Sequence, residues 1–169
     1  MRRDCIYAQG DRMLHISTAT RADAIALAPR LRPEDALESI GWGQTPQSSL
    51  VRAVDHGLET HSATDETGSV VGMFGLGHHE PTLGITSVWL MASDNVLTQK
   101  KYLRPFWRIA FHFLNLWHQD HQMLGNAVHR ANTVHIQWLE RAGFIINYAA
   151  AIESPLGHVY FPFVRYRNV

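Results

Sequence analysis

The sequence predicts an α+β fold, in which an antiparallel run of strands is followed by a helix, a strand, a second helix and a closing pair of strands. Three stretches carry that prediction. Asn126 to Phe144 reads as a short strand, a helix started by Asn132 and a stop at Gly143 before an apolar run. Ser69–Leu76 and Gly84–Ala92 are rich in Val, Ile, Phe and Trp and are separated by a glycine, histidine and proline cluster, as expected of two central hairpin strands. Between these, Arg104-Pro105 opens the longest helix, which runs to about His121 with Phe106, Ile109, Phe113 and Trp117 at three- and four-residue spacing.

In chain order, Met13–Thr18 alternates like a first strand, and Thr20 can cap a helix over Ala22–Leu31 that Pro33 interrupts and restarts. Pro46 begins another helix that reaches Gly57, with Leu50, Val51 and Val54 on one face. A strand at Leu58–Thr64, a turn at Asp65–Gly68 and the two central strands follow. The second apolar row of the long helix, Trp107, Ala110, Phe111 and Leu114, predicts that it is covered on most sides. In the next helix Ile136, Trp138 and Leu139 share a face, and Ile145–Ile152 with His158–Tyr166 form the closing hairpin through Ser154-Pro155-Leu156-Gly157.

A chain of 169 residues with 46% hydrophobic content fits one domain with a single core. Fifteen residues of each charge sign give a formal net charge of zero, so no global field attracts nucleic acid or an anionic membrane. The single cysteine, Cys5, excludes an intrachain disulfide. With no signal peptide and no long apolar run, the expectation is a soluble protein that does not engage membranes. The eleven histidines raise the question of a metal. His118 and His121 could share a helix face with His112 upstream, but no His-Glu-x-x-His or cysteine cluster accompanies them, and the expectation is no metal. No Gly-x-Ser-x-Gly, dinucleotide-binding or phosphate-loop glycine pattern is present.

The helix opened by Asn132 and ended by Gly143-Phe144 resembles the last helix of GNAT-fold acyltransferases. Leu31-Arg32-Pro33-Glu34-Asp35, Glu38, Gly41-Trp42-Gly43, Pro46, Val71-Gly72-Met73-Phe74-Gly75 and Val88-Trp89-Leu90 are similar, in order from about Thr20 to Phe144, to a family of phage-encoded GNAT-like proteins. Members of that family are described as an internal virion protein of short-tailed phages or simply as acetyltransferases. The resemblance implies a GNAT-like acyl-CoA N-acyltransferase fold, with a mixed, mostly antiparallel central sheet flanked by helices. It also implies acetyl-CoA or CoA as the possible cofactor, a host or virion protein as partner, and a place in the host cytoplasm during infection or inside the virion. A homodimer is compatible with it.

In that family the cofactor's pantetheine arm adds like a strand between the splayed fourth and fifth strands, and a glycine-containing loop surrounds the pyrophosphate with backbone amides. The corresponding stretch here, Leu97 to Arg104, keeps Gln99 but contains no glycine. Lys100, Lys101 and Arg104 are the candidates to replace backbone donors with side-chain charge, and Asn132 matches the asparagine that contacts the pantetheine arm. The tyrosine that protonates the thiolate in many relatives is replaced by Leu139, which leaves Tyr148 as the candidate acid. Glu80, with His78 and His79 beside it, is the candidate general base. Two functions fit these residues. The missing glycines and tyrosine favour a degenerate scaffold that binds and modulates a host or virion protein, and the retained frame leaves an acetyl-CoA-dependent N-acetyltransferase acting on an amine as the alternative.

Overall fold

The computed structural model describes residues 14–167 except 95, 97 and 98, with Lys100 described by its backbone only. Cys5, Met13, Leu97, Thr98 and the Lys100 side chain, all used in the reading above, therefore lie outside the described residues. The chain runs β1 (His15–Thr18), α1 (Arg21–Leu27), a 3-10 turn (Ala28–Arg30), α2 (Pro33–Ile40), α3 (Pro46–His56), β2 (Glu59–Thr64), β3 (Val70–Glu80) and β4 (Ile85–Ala92). It continues through α4 (Lys100–Trp117), β5 (Met123–His129), α5 (Thr133–Arg141), β6 (Ile145–Ile146), a 3-10 turn (Tyr148–Ala150), β7 (Ile152–Glu153) and β8 (Val159–Tyr166). The strands form one sheet in the order β1-β2-β3-β4-β5-β8-β6, with β7 also paired to β8. Every pairing is antiparallel except β4 with β5.

Local chemistry accounts for the helix starts. Thr20 and Thr45 each accept from the third helical amide while that residue's side chain accepts from the cap amide, so two orphan donors are satisfied at each end. Asn132 caps α5 by accepting from the His135 amide at 3.4 Å. Gly143 closes α5 with φ of +83°, a conformation that favours glycine.

The two faces of the sheet bury separate cores. Under α4 and α5, Phe74, Phe113, Trp117, Leu124, Phe144 and Phe163 pack together. Phe113 meets Phe74 edge-on at 4.9 Å and Trp117 at 5.6 Å. On the other face, Ala24, Leu27 and Leu50 of α1 and α3 cover Val70 and Met73. The seven buried residues Val70–Leu76 make β3 the centre of the sheet, as the apolar run predicts.

Three sequence expectations need correction. The strand expected at Ser69–Leu76 continues to Glu80, so His78, His79 and Glu80 belong to β3 and not to the connecting loop; the pairing survives through an irregularity between Leu76 and His79. The long helix begins at Lys100 and not at Arg104, with Pro105 inside it, which removes only the single bond its missing N–H would make. The strand expected at Ile145–Ile152 is broken after two residues, because Asn147 turns back to accept from the Ala150 amide at 3.1 Å. Tyr148 consequently sits in a 3-10 turn, not on a strand.

Candidate functional site: the cleft between the splayed strands

β4 and β5 pair only at Ile85–Ser87 with Met123–Gly125, and diverge beyond that. A β-carbon on Gly125 would lie 2.8 Å from the Phe163 carbonyl, so glycine is required where β4, β5 and β8 come together. In the diverging part, alternate residues of β4 turn their amides and carbonyls toward the gap. Of these, the Val88 carbonyl and both groups of Ala92 have partners. Asn126 Nδ2 donates to the Val88 carbonyl at 3.1 Å. At the outer end, Leu31 bridges Ser93 in antiparallel fashion, the Arg32 amide donates to the Ala92 carbonyl at 3.1 Å, and the Ala92 amide donates to Asp35 Oδ2 at 2.9 Å. The chain leading into α2 thus occupies the edge of β4.

The same helix reaches β5. Glu38 accepts the His129 amide on Oε2 at 2.9 Å and on Oε1 at 3.1 Å. Asn132, fully buried, joins the two carboxylates: Nδ2 donates to Asp35 Oδ1 and to Glu38 Oε1, both at 3.0 Å, and Oδ1 accepts from Arg32 Nη2 at 3.0 Å. Arg32 Nη1 lies 3.7 Å from Asp35 Oδ1. α2 therefore spans the mouth of the cleft and holds both strands through a closed polar network. Burial pushes the Glu38 carboxyl up to about 7, against the opposing pull of its bonds from Asn132 and His129. Beside it, His129 Nε2 and His158 Nδ1 share a hydrogen bond at 2.9 Å, and the Tyr160 hydroxyl donates to the Leu37 carbonyl at 3.2 Å. Burial and then the charge of Glu38 push the Tyr160 phenol up to about 12. Tyr160→Phe is expected to remove about 1 kcal/mol of stability, the net value of such a bond, read as a lower denaturant midpoint with an unchanged slope. An unchanged midpoint would detach the hydroxyl from the network's energetics.

Deeper in, the cleft is apolar. Val88, Leu90, Phe106, Ala110, Trp138 and Leu139 are among the walls of a cavity of about 40 Å³. That is space for about one water molecule, whereas small-molecule pockets run to roughly 300 Å³ or more. Trp107 of α4 stacks on Trp138 of α5 at 5.4 Å and closes the side between these helices. Trp89 Nε1, His135 Nδ1 and Trp138 Nε1 are buried without partners.

The residues put forward from the sequence are spread over the molecule. Gln99 has extended backbone before α4 and makes no side-chain cap bond. Lys101 Nζ is paired with Glu66 Oε1 at 2.9 Å, which raises its pKa, and lies 4.8 Å from the Tyr102 ring. Arg104 is exposed on α4. Asn132 is committed to Arg32, Asp35 and Glu38. Glu80 accepts the Thr82 amide at 3.0 Å, and that bond holds its carboxyl below the ordinary value. It lines an open groove of about 690 Å³ with His78, Ser87, Asn126 and Asn147. His79 Nδ1 bonds instead to Thr86 Oγ1 at 2.8 Å, and Thr86 bonds in turn to His121 Nδ1 at 2.8 Å. The exposed Tyr148 hydroxyl donates to Glu140 Oε1 at 2.8 Å, which raises its pKa and makes it a weaker acid. The structure brings Glu80 to the base of the cleft, leaves Tyr148 outside that groove, and places Gln99, Lys101 and Arg104 beyond the α2 closure. Arg32, Asp35, Glu38, His129 and His158, which form the built part of the cleft, did not stand out as site residues; the signal available was Asp35 and Glu38 three apart on one helix face.

The residues present offer coenzyme A neither a glycine cradle nor a free strand edge at the outer end of β4. The outer edge of β4 is already bonded to Leu31, Arg32 and Asp35, and no glycine lies in Leu97–Arg104. Among the described residues no group of three or more His, Cys, Asp or Glu is placed to hold a metal ion, and no helix is long and apolar enough to cross a membrane.

No protein-family model matches the sequence, and no curated protein matches it. Solved structures do. Spermidine N-acetyltransferase from Vibrio cholerae, solved with CoA and spermine, superposes with a TM-score of 0.66 at 11% identity, covering 92% of this chain and 96% of its own. A GCN5-related N-acetyltransferase from Kribbella flavida gives 0.62 at 17% identity over 93% and 99%. Ribosomal-protein-S5-alanine acetyltransferase from Vibrio fischeri gives 0.62 at 12% over 95% and 96%. The α+β architecture, with its mostly antiparallel sheet splayed between β4 and β5, is the fold of the GCN5-related N-acetyltransferases.

Proposed function

We propose that this chain is a degenerate acetyltransferase scaffold that binds and modulates another protein. The resemblance to phage-encoded proteins, from about Thr20 to Phe144, makes that partner a protein of the host or of the virion, met in the host cytoplasm during infection or inside the particle. The observation that carries the proposal is the Leu31–Ser93 bridge with the bonds from Arg32 and Asp35 to Ala92. They use the Ala92 amide and carbonyl, backbone groups at the outer end of the edge along which a strand-like cofactor arm would lie, and displacing them would take from the buried Asp35 carboxylate one of its two donors. The Trp107–Trp138 stack and the one-water cavity point the same way. A partner surface has a candidate location: Trp42 and Leu156 are exposed by 47% and 60%, and both lie close to the α2 end of the cleft, Trp42 stacking toward Tyr160 and Leu156 beside Gly43.

Calorimetric titration with acetyl-CoA and, separately, CoA tests this reading. The expected outcome is no heat and no thermal stabilisation at millimolar ligand. Binding at or below about 100 μM, worth roughly 5.5 kcal/mol, would overturn it and favour the alternative, an acetyl-CoA-dependent N-acetyltransferase whose amine acceptor enters the open groove beside Glu80.

A further inference from the structure

At the end of α4 opposite Gln99, three side chains that can be positive surround a surface pocket of about 180 Å³, bounded by Asn115, His118, Gln119, Arg165 and Arg167. His118 is only 6% exposed. Its Nδ1 faces the His121 carbonyl at 3.0 Å, and since a carbonyl only accepts, Nδ1 carries the proton. Nε2 is left buried and without a partner. Arg165 Nη1 is also buried with no acceptor, and burial lowers the pKa of its guanidinium. Among the described residues no carboxylate lines the pocket. A buried donor without an acceptor, as at Arg165 Nη1, is costly and uncommon, and two guanidinium groups with no counter-charge among the described lining residues are a combination that an anion relieves.

The carboxyl end of a helix ordinarily repels anions. Here the carbonyls of Leu114, Leu116 and Trp117 already accept from the amides of His118, Gln119 and Asp120, and in the turn beyond the helix Gln119 accepts from Arg167 Nη1 at 3.3 Å, His121 from His118, and Gln122 from the Arg167 amide at 2.8 Å. What remains facing the pocket is cationic. The volume equals about six waters, which suits one tetrahedral oxyanion with partial hydration and is too small for a nucleotide.

We propose that this pocket binds a dianionic tetrahedral oxyanion, inorganic phosphate or the phosphoryl group of a monoester, through Arg165 and Arg167, with His118 Nε2 as a third donor that forms on protonation. The planar guanidinium supplies paired N–H donors suited to such oxygens. The site is remote from the α2 closure and does not depend on the reading of the cleft. His118 is held below its ordinary pKa by burial, then by Arg165 and Arg167 of β8 and by His121 of its own loop. It is therefore mostly neutral at pH 7 in the free protein, and a bound dianion draws a proton to Nε2, so affinity for an anion of fixed charge falls as pH rises through the interval between the lowered free value and the raised bound one.

Calorimetry on the full chain at about pH 6.5 provides the test, with sulfate, inorganic phosphate and O-phosphoserine as probes and sodium chloride at matched ionic strength as the control. Sulfate is the informative probe, because it stays dianionic across the range and any proton taken up belongs to the protein. The expected result is saturable binding with uptake of up to one proton, read from the dependence of the heat on buffer ionisation. Arg165→Gln weakens it about tenfold or more. His118→Asn keeps a donor near the His121 carbonyl but lacks Nε2, and abolishes the proton uptake. Tighter binding of O-phosphoserine identifies the monoester as the ligand, and tighter binding of phosphate the free ion. Heats no different from sodium chloride, or affinity unchanged in a folded Arg165→Gln protein, would overturn the proposal; Arg167→Gln serves if Arg165→Gln does not fold.

Discussion

Asp35→Ala is expected to lower the free energy of unfolding by about 3–5 kcal/mol, a large share of the stability of a domain this size. The carboxylate is fully buried and accepts from the Ala92 amide and from Asn132 Nδ2, with Arg32 Nη1 at 3.7 Å. Removing it leaves a buried amide, a buried carboxamide and a largely buried guanidinium short of an acceptor at once. The helix that carries it also pins the outer edge of β4, so the loss extends to the Leu31–Ser93 bridge. Asp35→Asn keeps an acceptor while removing the charge, and should fall between the alanine variant and the natural protein. Urea unfolding with a common slope measures all three. A loss below about 1 kcal/mol for Asp35→Ala would mean that water replaces the carboxylate, and the mouth of the cleft would then be open rather than closed.

Features set by neighbours in sequence were readable before the structure. Thr20, Asn132 and Gly143 act within four residues of themselves, so capping and termination were visible. The α4 rows were visible too, because a helix that is apolar on most sides has to be covered; Phe74 of β3 and Trp138 of α5 are among the residues packed on it, while Phe111 of the second row stays exposed. The α2 network was not. Asp35 and Glu38 look like the solvated face of a short helix until their partners Ala92, Asn132 and His129 are known, and those lie 57 to 97 residues away. The sequence likewise placed His79 and Glu80 in a loop, because a glycine and histidine cluster before a proline carries no strand signal, and only pairing with Thr86 and Ile85 keeps these residues extended. The absence of glycine from Leu97–Arg104 was legible, but the bonding of Leu31, Arg32 and Asp35 to Ser93 and Ala92 at the end of β4 is a tertiary fact.

The closure should also depend on pH through Glu38. Its carboxyl stands at about 7 in the folded chain against a reference of 4.5, chiefly because burial penalises the charged form, with Asp35 adding repulsion. A group that holds its proton more tightly when folded stabilises the protein fully below pH 4.5 and loses that contribution as pH rises through 7. The interval corresponds to about 3 kcal/mol, and to nearer 2 once solvent reaching this half-buried side chain is allowed for. Histidines work in the opposite direction over part of the same window. His129 and His135 are held below their ordinary pKa by burial, so each stabilises the fold above about 6.5 and less below it. The informative quantity is therefore the difference between Glu38→Gln and the natural protein, which keep the same histidines. Glu38→Gln is expected to gain about 2–3 kcal/mol relative to the natural protein between about pH 5 and pH 8, and a flat difference would show that Glu38 titrates as a solvated carboxylate. Ionisation strengthens the bonds that Glu38 accepts from His129 and Asn132, so its cost lies in the buried charge and falls on the packing of α2 as a whole. Hydrogen exchange corrected for intrinsic rates should then show the His129 and Ala92 amides losing protection together toward pH 8, as α2 leaves the cleft as a unit, and a loss confined to the His129 amide would mean that the Glu38 bond breaks alone.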